Sequence, residues 1–347
     1  MGVFDSKNFN SEVFGKYLET VPRVKQNALL KAGVLRTRNE LKGMLSDQTG
    51  GNFITVPMTG LIGGSALNYD GSTNITATGL ETFLQSMIVV GRAKAWEEKD
   101  FSFDITGHDF MADIAAQVGN YWDDVDQTTL LKILEGIFGV STNNFNTDHT
   151  LDISGAAQAA DQVVGADTLN NAVQKAAGAN KDMFTVAIMH SKVATTLENL
   201  QILTYWKETD ANGVTRPVAL ASWNGRTVLI DDDVPTATAG TSPNTYTTYT
   251  TYLLGQGAFD YCDCGAKVPN ETHRDPTTAG GKDMLITRQR KLFAPKGFSF
   301  VQPSTAIVSP TDAQLATAAR WTIVRDTAGT GYFDTKAIPF ARIISRG

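Results

Sequence analysis

Phe83-Leu84-Gln85-Ser86-Met87-Ile88-Val89-Val90-Gly91-Arg92-Ala93-Lys94-Ala95-Trp96 is the stretch on which the fold turns. It is rich in branched and aromatic residues, lacks proline, and sets Arg92 and Lys94 on one face against Ala93 and Ala95 on the other. That pattern predicts a long strand. Upstream, Gly50-Gly51 opens a second strand over 52–58, followed by Gly60, Gly63, Gly64 and the turn signal Asp70-Gly71. Residues 50–103 therefore read as a hairpin with two limbs of about 18 residues, some 60 Å long at roughly 3.3 Å per residue. A lone two-stranded ribbon is marginal in water, and its edges invite pairing with other chains. Such an arm needs a neighbour.

The flanks differ sharply in charge. Residues 10–45 read as a mostly helical arm, with Leu29, Leu30, Val34, Leu35 and Leu41 at helical spacing, interrupted by Gly33 and Gly43. From Lys16 to Lys42 the arm holds seven basic and two acidic residues. After the hairpin, residues 106–138 predict the strongest helix of the chain, opened by a capping box from Thr106 to Asp109. Phe110, Ile114, Val118, Tyr121, Trp122, Val125, Leu131 and Leu134 keep its period. It would run about 50 Å. From Glu97 to Asp126 there are nine acidic residues and one lysine. Lys31, Arg36 and Arg38 of the arm are thus expected to meet acidic residues of a neighbouring subunit, among them Glu97, Glu98 or Asp100, and Arg92 of the hairpin is a further expected subunit contact.

A polar linker over 141–165 precedes alternating helices and strands: a helix from Asp167 to Ala177, a strand from Met183 to His190, and a helix from Ser191 to Leu203. Strands follow at 226–230 and 246–254, then at 285–293 and 298–301, and a capped helix begins at Thr311, three before Gln314. The chain has 347 residues, of which 42% are apolar and 19% charged, an ordinary composition for about two domains. Thirty basic residues against 36 acidic leave a net charge of −6, the wrong sign for a protein that grips nucleic acid. The aliphatic runs are far shorter than the roughly 18 residues that span a bilayer. The two cysteines make no disulfide framework.

Enzyme chemistry finds little footing. Cys262-x-Cys264 with His273 lacks the second ligand pair that zinc requires. His108 beside Asp109 reads as a helix start, and Asp231-Asp232-Asp233 before Val234-Pro235 as an exposed turn. Gly255-x-Gly257 lacks the third glycine of a dinucleotide loop, and Ser191 sits in no nucleophile elbow. No catalytic, cofactor or metal residue is expected.

Phe9-Asn10-Ser11-Glu12-Val13-Phe14-Gly15-Lys16-Tyr17, Gly51-Asn52-Phe53-Ile54-Thr55-Val56-Pro57 and Gly91-Arg92-Ala93-Lys94-Ala95 form an ordered set of segments. It continues through Ile114-Ala115, Tyr121-Trp122, Ile188-Met189-His190-Ser191, Ile230-Asp231-Asp232-Asp233-Val234-Pro235 and Ser309-Pro310-Thr311. Their order and spacing resemble tailed-phage major capsid proteins of the Hong Kong 97-like coat fold, an α+β fold. The resemblance implies an N-arm over 1–45, an extended E-loop over 46–103 and a peripheral domain over 104–165 with its spine helix at 106–138. It further implies an axial domain over 166–274, then a return to the peripheral domain and a C-terminal segment over 275–347.

The same resemblance implies a structural protein that self-assembles as pentamers and hexamers into the icosahedral head shell around the phage DNA. Portal, separate scaffolding and decoration or cement proteins are the implied partners, with assembly in the host bacterial cytoplasm and no membrane or cofactor. Two other readings compete: an encapsulin-type compartment shell, and a metal-dependent hydrolase built on His108, Asp109 and the Asp231–Asp233 run. Some relatives weld their shells through a lysine near the E-loop tip. Between Lys42 and Lys94 this chain has no lysine, so its shell is expected to be non-covalent.

Overall fold

The computed structural model describes residues 33–46, 52–60, 65–75, 77, 79–107, 110–209, 215–242, 244–326, 329 and 331–347. Two sheets organise it. The first has seven strands, ordered Leu35–Thr37, Phe259–Asp263, Lys282–Pro295, Thr82–Lys99 and Arg325–Asp326; Asn270–Asp275 also pairs with Lys282–Pro295, and Phe53–Thr59 with Thr82–Lys99. The second has eight, ordered Thr150–Asp152, Phe340–Ser345, Tyr246–Gly255, Phe184–Met189, Arg226–Ile230, Thr215–Trp223 and Thr204–Thr209, with Thr236–Ala239 also on Tyr246–Gly255.

The expected long strand is present and spans 18 residues, Thr82–Lys99. The ribbon around it is shorter than the sequence implies. Phe53–Thr59 pairs with only its first half, Phe53 opposite Ile88 and Thr59 opposite Thr82, about 23 Å of ladder. From Val89 onward the partner is Lys282–Pro295, running from Leu292 opposite Val89 to Lys282 opposite Lys99. The strand is thus half arm and half body, because a non-local strand supplies the ladder that the second limb does not.

The long helix occupies Phe110–Ile137, about 42 Å. It does not begin at Thr106. A separate short helix, Asp100–Thr106, ends there on Gly107, whose φ of 64° closes the turn. The Thr106 hydroxyl donates back to the Ser102 carbonyl at 2.8 Å instead of capping forward; Asp109 lies outside the described residues. The C-terminal half of the long helix is the wedge between the sheets. Leu130, Ile133, Leu134, Ile137 and Phe138 are buried with Ile88 and Val90 of the first sheet and Tyr252 and Phe340 of the second. A second cluster lies under the helices Thr168–Ala177 and Ser191–Asn199, where Leu169, Val173, Val193 and Leu197 cover Ala187, Leu253 and Trp223.

Other departures share a cause: pairing with distant segments overrides local preference. Leu35–Thr37 is a strand parallel to Phe259–Asp263 rather than part of a helix. The presumed linker holds the helix Phe145–His149 and the strand Thr150–Asp152. Its His149 is buried, with Nδ1 at 2.6 Å from the Phe340 carbonyl, and burial holds the imidazole below its ordinary value. The helix from Ser191 stops at Asn199, leaving Leu200 exposed. The hairpin Thr204–Thr209 with Thr215–Trp223 has no counterpart in the sequence reading. Phe340–Ser345 lies between Tyr246–Gly255 and Thr150–Asp152, while Phe259–Asp263 and Asn270–Asp275 belong to the first sheet. The sheets therefore do not divide at 166–274 and 275–347, since the chain leaves the second sheet after Gly255 and returns to it at the end.

Candidate assembly surfaces

The first sheet positions two groups of charges. At one end the strand Leu35–Thr37 sets Arg36 directly opposite Asp260. Arg36 donates to both Asp260 oxygens, from Nε at 2.8 Å and Nη2 at 3.1 Å, and Arg38 adds Nη1 at 3.1 Å and a bond to Glu40. Asp260 is only 6% exposed, so two guanidiniums neutralise a buried carboxylate and fasten the root of the arm. A bidentate guanidinium–carboxylate contact is among the stronger charge-assisted bonds.

The acidic group lies at the other end of the sheet. Glu97 pairs with Lys282, the Phe110 amide donates to Glu98 at 3.3 Å, and Asp100 accepts from Arg274 Nη2 at 2.6 Å. Glu98 thereby meets the positive end of the long helix. Arg92 donates to Asp312 at 2.6 Å and to the Pro310 carbonyl at 2.9 Å, tying the long strand to the capped helix Asp312–Leu315. Arg36, Arg38, Arg92, Glu97, Glu98 and Asp100 all have partners in their own chain, and Lys31 lies outside the described residues. Asp260 stands opposite Ala294 and Glu97 opposite Met284 on the same strand, so the two groups are roughly 33 Å apart.

Sequence reasoning missed the buried partner, Asp260, and a set of exposed apolar side chains. Leu67, Tyr69, Ile75 and Leu80 stand out from the loop before the long strand, and Phe101, Phe103 and Ile105 from the short helix after it. The alternation Phe101-Ser102-Phe103-Asp104-Ile105 was the visible signal.

Cys262 and Asp231 are buried in packed surroundings, while His108 and Asp109 lie outside the described residues. Cys262 is buried against Leu41, Leu45 and Leu292; Cys264 is half-buried, and burial pushes its thiol up to about 12. Asp231, expected in an exposed turn, is 6% exposed and accepts from the Gln127 side chain and, at 3.0 Å, from the Asp233 amide. Asp232 accepts the Ser191 amide at 3.0 Å, joining the end of the strand Arg226–Ile230 to the start of the helix Ser191–Asn199. Among the described residues no three His, Cys, Asp or Glu side chains converge as metal ligands. No helix among them is long and apolar enough to cross a membrane.

Comparison with known proteins agrees with this architecture. No family model matches the chain. The chain is 26% identical over 316 residues, 91% of its length and 92% of the relative's, to the major capsid protein of Bacillus phage SPP1. Among solved structures it resembles the capsid of Ralstonia phage GP4 (TM-score 0.58, 11% identity, 90% of this chain and 87% of that one). It also resembles the head of Helicobacter pylori bacteriophage KHP40 (TM-score 0.56, 10% identity, 100% and 95%) and Mycobacterium phage Bobi (TM-score 0.53, 12% identity, 100% and 96%). The fold is the Hong Kong 97-like coat fold of phage capsids, an α+β architecture. The likeness to a phage coat protein thus runs through the sequence of the chain as well as its fold.

Proposed function

We propose that this chain is a phage major capsid protein that assembles as pentamers and hexamers into the icosahedral head shell of a tailed phage and encloses its double-stranded DNA without catalysing a reaction. The observation that carries the reading is the sequence likeness to a phage coat protein across nine-tenths of both chains, on a fold shared with phage capsids. The physical features suit it. A net charge of −6 favours enclosing DNA over gripping it, since each phosphate contact needs a cation. Assembly takes place in the host cytoplasm, with a portal, a separate scaffolding protein and a decoration or cement protein as further partners. Arg36 and Arg38 serve as the clamp of the arm on Asp260, a role that the trans pairing first expected of them would break.

Negative-stain imaging of the purified protein tests the reading directly: closed shells or capsomers are expected, and a stable 37 kDa monomer would overturn it. Deleting residues 61–80 is expected to leave both sheets folded, as judged by circular dichroism, while abolishing shells. Normal shells from that deletion would remove the loop from assembly. Particles boiled in detergent should run as one band near 37 kDa, because the loop offers Asn68, Asp70 and Asn74 but no amine nucleophile. A reductant-resistant ladder would show a covalent weld.

A further inference from the structure

Three donor groups of the second sheet are buried without a hydrogen-bond partner among the described residues: the Thr185 hydroxyl, the Trp223 indole nitrogen and Nε of Arg226. The topology makes them neighbours. Phe184–Met189, Arg226–Ile230 and Thr215–Trp223 are consecutive strands. Trp223 stands opposite Arg226 across the two-residue turn Asn224-Gly225, where both residues hold the positive φ of a tight hairpin. On the other side Val186 stands opposite Thr227, so Thr185 and Arg226 each lie one step before that pair. Thr185 is also the extra residue of a bulge against Tyr246–Gly255, with Leu254 facing Val186 and Gly255 facing Phe184, which leaves it unpaired on that side. Alternation fixes the face. Ala187, Val228 and Ala221 are buried under the helices Thr168–Ala177 and Ser191–Asn199, and Thr185, Arg226 and Trp223 are each two residues from one of them. The three side chains therefore rise from a row roughly 10 Å wide, at about 4.8 Å between strands.

The chemistry of the row is lopsided. An indole nitrogen and a guanidinium Nε only donate, and a threonine hydroxyl brings its own hydrogen with its oxygen. Three hydrogens thus face one protein oxygen. Trp223 is 0% exposed, so its N–H has no access to bulk water. Arg226 adds charge. Its Nη1 and Nη2 donate to the carbonyls of Asn224 at 3.4 Å and Lys181 at 3.2 Å, and it makes no ion pair with a described residue. Burial pulls its guanidinium below the ordinary value, while the exposed Asp182 acts the other way. Buried donors without acceptors are costly, and a buried charge without a counter-charge more so.

We propose that Thr185, Trp223 and Arg226 together bind a small monovalent anion, a halide. A halide accepts from all three donors and neutralises the guanidinium. A water molecule leaves the charge in place and adds two more hydrogens to a row that already has a surplus. Protein interiors are close-packed, which suits a single-atom anion better than phosphate or sulfate. Bound there, the halide braces the root of the hairpin Thr204–Thr209 with Thr215–Trp223 against Phe184–Met189. This site goes beyond the coat-protein reading and does not depend on it.

Thermal unfolding of the full chain, dialysed free of halide and held in one state of assembly, tests the site. Wild-type protein in about 0.3 M sodium chloride should melt about 3 °C higher than in the same concentration of sodium gluconate, an anion too large to enter. Sodium bromide should act as chloride does. Trp223→Phe keeps the ring and removes only the N–H, and it should lose most of this difference; Arg226→Gln should lose it as well. Trp223→Phe keeps the comparison decisive even where Arg226→Gln fails to fold. A wild-type chain that melts alike in chloride and gluconate overturns the proposal. So does a chloride effect that persists undiminished in Trp223→Phe, since the halide would then act elsewhere on the protein.

Discussion

Gly136→Ala is expected to cost about 2–3 kcal/mol of stability, while Gly119→Ala in the same helix should raise it by up to about 1 kcal/mol. The substitution, the helix and the propensity gain are identical, so the difference isolates packing. At Gly119 an added methyl group meets no atom within 4 Å. At Gly136 it meets the Leu315 carbonyl, with the Trp321 indole nitrogen at 2.6 Å. That nitrogen donates to the same carbonyl at 2.7 Å. The methyl therefore has to push the backbone of the short Asp312–Leu315 helix away and break a buried hydrogen bond. Overpacking costs about 1–3 kcal/mol, and an orphaned buried donor about 1–3 more. Against these, the gain of Ala over Gly in a helix is about 1 kcal/mol, so the losses win. Thermal unfolding of both variants in the same state of assembly decides it. Equal shifts of like sign would show that the helix does not approach this backbone so closely.

The contrast also explains what could be read in advance. Periodicity within one segment was legible. The long strand through Val89 and Trp96, the long helix through Leu131 and Leu134, and the Thr311–Gln314 capping box all stand where local pattern sets them. Features that depend on a distant partner were not. Val34 and Leu35 keep a helical spacing, yet the chain there is extended because Phe259–Asp263 offers it a ladder. The second half of the expected ribbon is instead paired with a strand nearly 200 residues away in sequence. Glycine was ambiguous for the same reason: nothing local separates Gly119 from Gly136.

The site follows the same rule. Arg36, Arg38 and the acidic run were visible as charges, but a charge does not announce whether its partner is in the same chain. Asp260, between Phe259 and Tyr261, has the sequence environment of an ordinary strand residue. Only the parallel register sets it opposite Arg36. The exposed phenylalanines of the short helix were hidden by a different error, the extension of the hairpin as far as residue 103, where the chain is already helical.

Lys291→Met is the second large effect expected, a loss of about 3 kcal/mol. The side chain of Lys291 lies against Asp126 of the long helix, which is 1% exposed and also accepts from Gln289 at 3.1 Å. Burial pushes the Asp126 carboxyl upward against the pull of these two donors. Removing the ammonium leaves a buried carboxylate with one neutral donor, and breaking a buried pair from one side costs about 3–5 kcal/mol. Replacing both partners should not. In Asp126→Asn with Lys291→Met no charge is buried, and the amide oxygen still accepts from Gln289. The double variant is expected within about 1 kcal/mol of the parent, although one of its single changes is severe. The pH dependence gives an independent reading. In Lys291→Met the folded-state value of Asp126 rises further above its unfolded value of about 4. A group raised in this way keeps its stability at low pH and loses it as pH rises through the folded value. The deficit of Lys291→Met should thus be full near neutrality and shrink as the solution is acidified toward pH 4 or so, while that of the double variant stays flat. A single variant whose deficit is below about 1 kcal/mol, or is the same at all pH values, would mean that the pair is solvated and holds the long helix to its sheet by packing alone.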